Sequence, residues 1–548
     1  MTRRLAWLLL CALPLLATAE EEPVRLAWKG ADGYELVQLN RTQVLAREPL
    51  PASLQAPLGS LWKLFVYAWL VDNDQQEPAY DCHGQDRDEV YCCTPGGSIA
   101  RDPALVKSCG LYFEPERLRI DAARWRDYWQ ARHAPAWLLD LDQLKPQTRV
   151  SIAELLETLR TLPAQEQARK LLLDVVLGAA DGQAVGVLGG RLRVKTWSWL
   201  GDNDPQSRQG GFAGWLEDGT PLWVGGRGTS QMVLRHYSDV LGNFLPAPSP
   251  ADAGRCVQVE LFSRYPLKGV SRADGQAAAN GALQGRYRVD FANGNQLDIE
   301  SAGELFLLQN AGQPQLVARL DREEYVARVL QREARSEPVE AAKALAVAIR
   351  TYLLQNAARN GDCLSIDDSS SRQRVAPRPA TADARAIAAW TSDLVLAGSP
   401  VTYHSDQPGP DKLSWQQAVE QANAGARYDL ILQRAYPRAS LSRWDNPVAS
   451  CEPLPAARDW LLKQRRGWRP RLDQEVGYNE LSQFAVCRLS FGRPYVDRER
   501  QRIYVRGVLT QQDRLDLTHE YLHLAFEAHP NGQDEDYIEG LARHLLLE

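Results

Sequence analysis

Two histidines and a glutamate near the carboxyl end of the chain have the spacing of a metal site. His519, Glu520 and His523 form an HExxH motif. Because helix residues advance by about 100° per position, residues four apart share a face, and both imidazoles can bind one zinc ion. Glu520 would then lie beside the open coordination position, where it can take a proton from the attacking water and return it to the departing amine. The motif therefore predicts a zinc-dependent peptidase site.

A zinc site of this kind needs a third protein ligand, and two residues compete for that role. His529 follows His523 by six residues, as in the HExxHxxGxxH zincins, but Phe526 stands where those proteins have a glycine that turns the helix back. Glu539 follows His523 by sixteen residues and would come from a following helix, which resembles the gluzincin arrangement. We expect Glu539 to be the ligand. The alternative to a metal site is a polar helix with incidental histidines.

A serine and a lysine near the amino terminus have the spacing of a nucleophile and its base. Ser60 and Lys63 are three residues apart, so on a helix they face the same way and the amine can take the serine proton. Ser108 and the pair Lys195 and Thr196 follow in the order of the motifs of penicillin-binding transpeptidases and β-lactamases, and this part of the chain resembles that family. The resemblance implies an acyl-transfer site.

Two of these motifs are altered. Gly110 stands where the family has an asparagine that holds substrate, and Trp197 stands where it has a glycine that lets substrate lie along a strand. We expect the Trp197 indole to obstruct the groove, and residues 212–215 to form the adjoining antiparallel strand. The region is therefore predicted to be a degenerate domain that binds wall peptide or a partner, with acyl transfer by Ser60 as the alternative.

A candidate acid lies in the middle of the chain. Residues 320–354 read LDREEYVARVLQREARSEPVEAAKALAVAIRTYLL and resemble the SpoIID/LytB family of peptidoglycan-cleaving lytic transglycosylases. The likeness continues through Tyr403-His404-Ser405 and residues 428–437, and Glu333 matches the position of the family's catalytic acid. One carboxylic acid in a cleft can protonate a glycosidic oxygen while a sugar hydroxyl closes on the anomeric carbon. The alternative for Glu333 is an ordinary acid at a helix end.

The middle region also departs from the SpoIID pattern. Leu345 stands where the family has glutamine, residues 367–373 replace its Cys/His metal segment, and Pro408-Gly409 replaces a Gly-Gly pair. Together with the altered motifs of the first region, these departures favour a different class of function. In that alternative the chain is a catalytically degenerate scaffold that binds peptidoglycan or a macroglobulin-type envelope protein.

The amino-terminal residues predict export. Arg3 and Arg4 precede an apolar run, and a small-residue cleavage site ends at Ala19, so residues 1–19 read as a signal peptide. Since no later stretch has eighteen uninterrupted apolar residues, we expect no transmembrane anchor after signal removal. The sequence thus predicts a protein delivered to the periplasm.

The charge of the chain argues against nucleic-acid binding, and its cysteine content favours an oxidising compartment. The formal net charge is −6, with both signs interspersed, which gives no footprint for nucleic acid. Eight cysteines remain after the signal peptide, an even number compatible with disulfides in an oxidising compartment. Four of them cluster between Cys82 and Cys109, where a zinc knuckle is the alternative to disulfides.

The regions together predict an α+β multidomain protein. Because its prolines cannot continue a helix or a central strand, the segment 246–250 is the clearest linker. The expected order is the signal peptide at 1–19, a β-lactamase-like domain at 20–248, a SpoIID-like domain of strands and helices at 255–440, and a small, mainly helical zincin-like domain at 441–548.

This order resembles the YfaQ-type bacterial envelope proteins, a likeness that implies a periplasmic location and association with a macroglobulin-type protein. The combined prediction is a periplasmic cell-envelope hydrolase. It joins a Zn²⁺-dependent peptidase to a lytic transglycosylase module and acts on peptidoglycan or wall peptide.

Overall fold

The computed structural model describes residues 23–30, 33–83, 98–178, 183–201, 207–248, 256–310, 312–397, 400–403, 409, 412–436, 439–446, 452–481, 484–489, 494–498 and 501–547. The predicted signal peptide, Cys92, Cys93, His404 and Pro408 lie outside these residues. None of the helices in this part of the chain is long and apolar enough to cross a membrane.

The first region combines a six-stranded antiparallel sheet, in the order β3-β2-β1-β10-β9-β8, with helices on both faces. Because both faces are covered, β9 is buried along most of its length, as a strand between two helical layers should be. β8 pairs with β9, with Thr196 opposite Phe212, so the predicted adjoining strand is confirmed. The strands are β1 (Val24–Gly30), β2 (Gly33–Leu39), β3 (Val44–Pro49), β4 (Gln55–Pro57), β5 (Tyr80–Asp81), β6 (Ser98–Ile99), β7 (Arg149–Ser151), β8 (Leu192–Leu200), β9 (Arg208–Leu216) and β10 (Pro221–Arg227). The helices are α1 (Trp62–Asp72), α2 (Arg101–Val106), α3 (Gly110–Phe113), α4 (Ala122–Gln130), α5 (Ala136–Leu139), α6 (Ile152–Arg160), α7 (Gln165–Leu177), α8 (Gln183–Leu188) and α9 (Ser230–Phe244).

The middle region is built on a seven-stranded sheet in the order β12-β13-β14-β15-β11-β17-β16. The alternating patterns at residues 257–261 and 287–291 predicted strands, and both lie within strands of this sheet. A disulfide between Cys256 and Cys363 joins two neighbouring parallel strands. The strands are β11 (Cys256–Leu261), β12 (Leu267–Arg272), β13 (Gly281–Phe291), β14 (Gln296–Asn310), β15 (Gln313–Asp321), β16 (Ala358–Asn360), β17 (Cys363–Asp367), β18 (Leu394–Ala397), β19 (Thr402–Tyr403), β20 (Lys412–Leu413) and β21 (Ser440–Arg443). The helices are α10 (Arg322–Glu333), α11 (Val339–Asn356), α12 (Ala382–Trp390), α13 (Trp415–Asn423) and α14 (Tyr428–Ala435).

The first and middle regions share one hydrophobic core. A single cluster of buried side chains runs from β1, α8 and α9 into the sheet and helices of the middle region. The Gly190 N–H donates to the Trp390 carbonyl at 3.0 Å, and a Cβ at Gly190 would lie 2.1 Å from the Ser392 carbonyl oxygen, so the contact requires glycine there. The Arg443 guanidinium also donates to the buried Asp174 at 2.7 Å. The sequence predicts two separate domains here, but the apolar faces of the first and middle regions are buried against each other.

The third region has its own core and is mainly helical, as expected. A small four-stranded sheet in the order β22-β23-β25-β24 lies beside its helices. β21 pairs with β18 of the middle region, which places residues 440–443 there and not in the third region. The strands are β22 (Glu452–Pro453), β23 (Ala485–Arg488), β24 (Tyr495–Asp497) and β25 (Arg502–Val505), and the helices are α15 (Pro455–Leu472), α16 (Gln511–Ala525) and α17 (Glu535–Leu547).

Cysteines outside the Cys256–Cys363 pair are oxidised as well. Cys82, Cys109 and Cys487 are each disulfide-bonded. A cysteine in a disulfide has no thiolate to offer a metal, so the zinc-knuckle alternative is wrong for Cys82 and Cys109. The expectation of disulfides is confirmed for these residues.

Candidate functional site

The HExxH motif lies on α16, a helix with a well-defined start. Thr510 and Asp513 form a capping box there: the Asp513 N–H donates to the Thr510 hydroxyl at 2.9 Å, and the Thr510 N–H donates to the Asp513 carboxylate at 3.0 Å. The helix places the Nε2 atoms of His519 and His523 2.9 Å apart. His523 is almost fully buried and Glu520 is 5% exposed. The predicted convergence of the two imidazoles is therefore present.

The third group at this site is Glu535, the first residue of α17. One of its carboxylate oxygens lies 3.2 Å from Nε2 of His519, and the other lies 3.1 Å from Nε2 of His523. Among the described residues, these three side chains form a group whose ligand atoms all lie within 4.8 Å of one another. Donors bonded to one zinc ion at about 2.0–2.1 Å are roughly 3.3 Å apart in a tetrahedron. The donor set therefore fits zinc in both chemistry and spacing.

Glu539 occupies a different position from the one expected. Its carboxylate lies 3.1 Å from Nδ1 of His519, on the opposite side of that ring from Glu535, and it also accepts from Arg543 at 2.7 Å. A carboxylate on the far ring nitrogen fixes the tautomer and orientation of a metal-binding histidine. The structure thus brings Glu535 to the two Nε2 atoms and gives Glu539 an orienting position.

His523 has an orienting partner of its own. Its Nδ1 lies 2.9 Å from the Gly532 carbonyl oxygen, in the 3-10 helix Pro530–Gln533 that leads into α17. A Cβ at Gly532 would lie 2.4 Å from the Phe526 carbonyl oxygen, so this close turn requires glycine. Both histidines therefore have one ring nitrogen engaged and the other directed toward Glu535.

His529, the alternative third ligand, is engaged elsewhere. Helix α16 ends at Ala525, and His529 caps the following 3-10 helix by accepting from the Asn531 N–H at 3.2 Å. Its ring packs against Gly477, where an added Cβ would lie 2.3 Å from the ring. His529 is outside the group that His519 and His523 form with Glu535.

The electrostatics of the site follow from these contacts. Burial lowers the pKa of His519, but hydrogen bonds to Glu535 and Glu539 outweigh it and raise the pKa to about 10. Burial also opposes the rise in the pKa of His523, which results from Glu535 and Glu520. Burial raises the pKa of Glu535, yet its two histidine partners bring the value well below the usual range. The carboxylates thus stabilise the protonated imidazoles, and a bound metal ion would have to displace those protons.

Two participants were not identified from the sequence. Glu535 is one of three consecutive acids, residues 534–536, and nothing in their order selects it. The one usable signal is its spacing of four from Glu539, which puts both carboxylates on the same face of a helix. The second participant is Arg235 of α9, in the first region, whose guanidinium forms an ion pair with Glu535. No local pattern could have predicted a contact between residues so far apart in the chain.

The serine and lysine of the SxxK motif are close together. Ser60 lies in the 3-10 helix Gly59–Leu61, just before α1, and the Lys63 ammonium is 3.5 Å from its hydroxyl. The same ammonium donates to the Ser108 carbonyl at 2.5 Å and lies 3.2 Å from the Ser108 hydroxyl. Ser108 has a φ of 61°, which is strained for a residue with a side chain. The structure brings Ser60, Lys63 and Ser108 together.

The other residues of this predicted site lie along β8. The buried Lys195 ammonium donates to the Thr196 carbonyl at 3.0 Å. Trp197 is almost fully buried, stacks on Trp223 at 5.8 Å, and packs beside Gly59, the residue before Ser60. Obstruction of a substrate groove by Trp197 stays a prediction, as does acyl transfer.

Glu333, the candidate acid of the middle region, is held by an arginine. It is the last residue of α10, and its side chain is 3% exposed. Its carboxylate accepts three hydrogen bonds from Arg374: from the backbone N–H at 2.8 Å, from Nε at 3.2 Å and from Nη2 at 3.0 Å. A general acid must carry a proton toward its substrate, and here N–H donors already engage both carboxylate oxygens. Glu333 has to leave Arg374 before it can donate.

Two family models match the chain. The model described as "Predicted secreted protein (DUF2300)" matches residues 84–206 and 411–531, and the model described as "Stage II sporulation protein" (SpoIID) matches residues 310–409. The SpoIID match covers Glu333 and indicates a cell-wall-related role for the middle region. The DUF2300 match covers the HExxH motif and parts of the first region, and its description agrees with the predicted export.

Solved structures with a likeness to part of the chain include two class D β-lactamases and a penicillin receptor. The Bacillus subtilis class D β-lactamase is 14% identical with a TM-score of 0.29, and the match covers 41% of this chain and 92% of that one. The carboxyl-terminal domain of the Bacillus licheniformis BlaR penicillin receptor is 15% identical with a TM-score of 0.29, over the same shares. The class D β-lactamase of Sebaldella termitidis is 12% identical with a TM-score of 0.25, over 38% of this chain and 79% of that one.

A full-length relative gives the family. The Escherichia coli (strain K12) "Uncharacterized protein YfaQ" is 56% identical over 548 residues, which is 100% of both chains. With the SpoIID and DUF2300 matches inside that length, the chain belongs to the YfaQ family.

Proposed function

We propose that the protein is a periplasmic, zinc-dependent peptide hydrolase of the cell envelope, with its site at the ends of α16 and α17. One observation carries the proposal: the donor atoms of His519, His523 and Glu535 lie within 4.8 Å of one another. His519 and His523 each have the other ring nitrogen engaged, as metal-binding histidines do. Glu520 of the HExxH motif adds a general base to these three donors.

Each protein group has a definite role in this proposal. Bound Zn²⁺ supplies a Lewis acid that polarises the scissile carbonyl and lowers the pKa of the attacking water. Glu520 takes the proton from that water and delivers it to the amine nitrogen as the peptide bond breaks. Its charge acts on both histidines, which supports a position beside the site. Glu539 and the Gly532 carbonyl keep the imidazoles in the orientation that binds the metal.

The middle region supports a substrate in the cell wall. Its SpoIID match is cell-wall-related, and the family model of the flanking segments describes predicted secreted proteins. In this proposal the middle region binds peptidoglycan, and the metal centre cleaves a wall peptide or an envelope protein held nearby. A macroglobulin-type envelope protein is a further candidate partner.

Metal analysis of the full-length chain tests the proposal. We expect about one zinc per chain after export and purification without added metal, and loss of that zinc in His519→Ala and His523→Ala. His529→Gln is the matched control, since it removes a neighbouring histidine that the structure places outside the group. Zinc retained by both alanine variants, or lost equally in His529→Gln, would contradict the proposed site.

A second candidate function is a peptidoglycan-binding scaffold without catalysis. The Glu333–Arg374 contact favours it for the middle region, because the candidate acid already accepts three hydrogen bonds. Purified chain should then sediment with peptidoglycan but release no anhydro-sugar products from peptide-free glycan strands. Release of such products, and their loss in Glu333→Gln, would instead establish glycan cleavage.

A further inference from the structure

One group at the metal centre comes from a different region of the molecule. Arg235 of α9 forms an ion pair with the oxygen of Glu535 that also faces His523. Its side chain is 15% exposed, so the guanidinium is largely removed from solvent at this contact. The first region therefore reaches the same carboxylate that completes the donor set of the third region.

The ion pair between Arg235 and Glu535 can hold the Glu535 carboxylate in place. Glu535 begins α17 and its side chain is 34% exposed, so the rotamer of this carboxylate is not fixed by burial alone. Its two oxygens face the two imidazoles, and the guanidinium of Arg235 approaches it from outside the third region. A ligand carboxylate held by a hydrogen-bonded partner binds its metal more tightly, because less rotational freedom is lost on binding.

Charge interactions support docking of the two regions at this place. Burial lowers the pKa of the ammonium of Lys107, the residue that follows α2 in the first region, to about 8, and the charges of Arg506 and Asp513 of the third region also act on it. Asp513 belongs to the capping box of α16, the helix that carries both histidines. The first region thus approaches the start of α16 as well as the start of α17.

We propose that Arg235 is a positioning residue of the metal centre, supplied by the first region to orient the ligand carboxylate of Glu535. This inference rests on the proposed function, since it assigns a second domain to the same site. It gives the first region a role that needs no catalysis at Ser60. The metal centre then reaches full affinity only when the first and third regions are docked.

An ordinary interdomain ion pair is the competing explanation. Such a pair would contribute to stability and leave metal binding unchanged, so the test must separate the two effects. Zinc affinity, measured by competition with a chromophoric chelator, reports the positioning role. The visible absorption of the Co²⁺-substituted protein reports the ligand set directly, and the thermal midpoint reports stability.

The experiment compares the full-length chain with Arg235→Gln, Arg235→Lys and the control Arg132→Gln. Arg132 forms an ion pair with Asp72 at 2.8 Å within the first region, so its loss removes an arginine ion pair of that region away from the metal centre. We expect Arg235→Gln to weaken zinc binding by about 10–100-fold, the usual cost of losing a residue that hydrogen-bonds to a metal ligand, and to alter the Co²⁺ spectrum. Arg235→Lys should recover most of the affinity, and Arg132→Gln should match the unaltered chain.

Each outcome decides a separate point. Unaltered zinc affinity and an unaltered Co²⁺ spectrum in Arg235→Gln would overturn the positioning role while leaving the metal centre intact. A parent chain that binds neither ion would overturn the metal centre itself. If Arg235→Gln does not fold, Arg235→Met keeps the apolar stem and removes the charge, and the same two measurements apply to it.

Discussion

The third and middle regions each contain a glutamate that the sequence predicts to be catalytic, but the surroundings of the two side chains differ. Glu520 lies on α16 beside two histidines that meet a third donor, Glu535. Glu333 lies at the end of α10 and accepts three hydrogen bonds from Arg374. In the third region three donor groups converge on one point, while in the middle region the carboxylate is paired with a single arginine.

The comparison shows that a motif match and a usable site are different things. Glu333 matches a catalytic position in sequence, yet its environment is that of a structural ion pair. The HExxH motif is short, but the groups around it, from Glu539 to the Gly532 carbonyl, have the orienting contacts that a metal site needs. The residues that contact a motif in space therefore distinguish a candidate site from a chance match better than the motif alone does.

The largest expected effect is on catalysis. Glu520→Gln should lower hydrolysis of a quenched fluorescent peptide by about 10²–10⁴-fold, because the amide cannot accept the proton of the attacking water. Zinc content should not change. Glu333→Gln is the matched control and should hydrolyse the same peptide at the parent rate. Full activity in Glu520→Gln would refute its role as the base.

Ligand removal should have the next largest effect. Glu535→Ala should weaken zinc binding by more than 100-fold, whereas Glu539→Ala should weaken it by about 10–100-fold, because Glu539 orients a ligand and Glu535 is one. Chelator competition measures both affinities. If Glu539→Ala caused the greater loss, the sequence-based assignment of Glu539 as ligand would be right and the one made from the structure wrong.

Metal addition should stabilise the third region selectively. Zinc at 100 times its Kd stabilises the folded state by about 2.7 kcal/mol, which should raise the thermal midpoint of the transition that includes the third region. Glu333→Gln should keep this increase, and Glu535→Ala should lose most of it. An equal increase in all three proteins would indicate that the ion binds elsewhere.

The smallest effect is expected in the middle region. Glu333→Gln should lower its stability by about 1–2 kcal/mol, because Arg374 loses a charged acceptor but is partly exposed and keeps access to water. Thermal unfolding of the full-length chain measures the loss. Arg372→Gln, which removes a more exposed pairing with Asp367, provides the control and should change stability less.

Helical periodicity predicted the pairing of His519 with His523, because four residues make about one turn. The third donor could not be predicted in the same way, since it depends on how the turn at residues 530–533 sets α17 against α16. The spacing in sequence favours Glu539, but Glu535, the first residue of α17, is the one that reaches the two Nε2 atoms. The ends of helices are the positions where such sequence reasoning is weakest.

The fold was predicted better within regions than between them. The alternation in residues 257–261 predicted a strand of the middle sheet, and the paired strands β8 and β9 were anticipated from their motif. The prolines at 246–250 indicated a linker and hence separate domains, whereas apolar side chains on either side of that segment form one core. A shared core forms when an apolar face of one region packs against an apolar face of the other, and the sequence of either region alone does not show which faces will pair.

The core shared by the first and middle regions fixes the distance between groups bound to them. Because the first and middle regions cannot swing about a hinge without exposing apolar side chains to water, a glycan strand held by the middle region, as proposed, would lie at a constant distance from groups of the first region. If Arg235 also anchors the metal centre to these two regions, the peptide that is cleaved should lie at a set distance from the bound glycan.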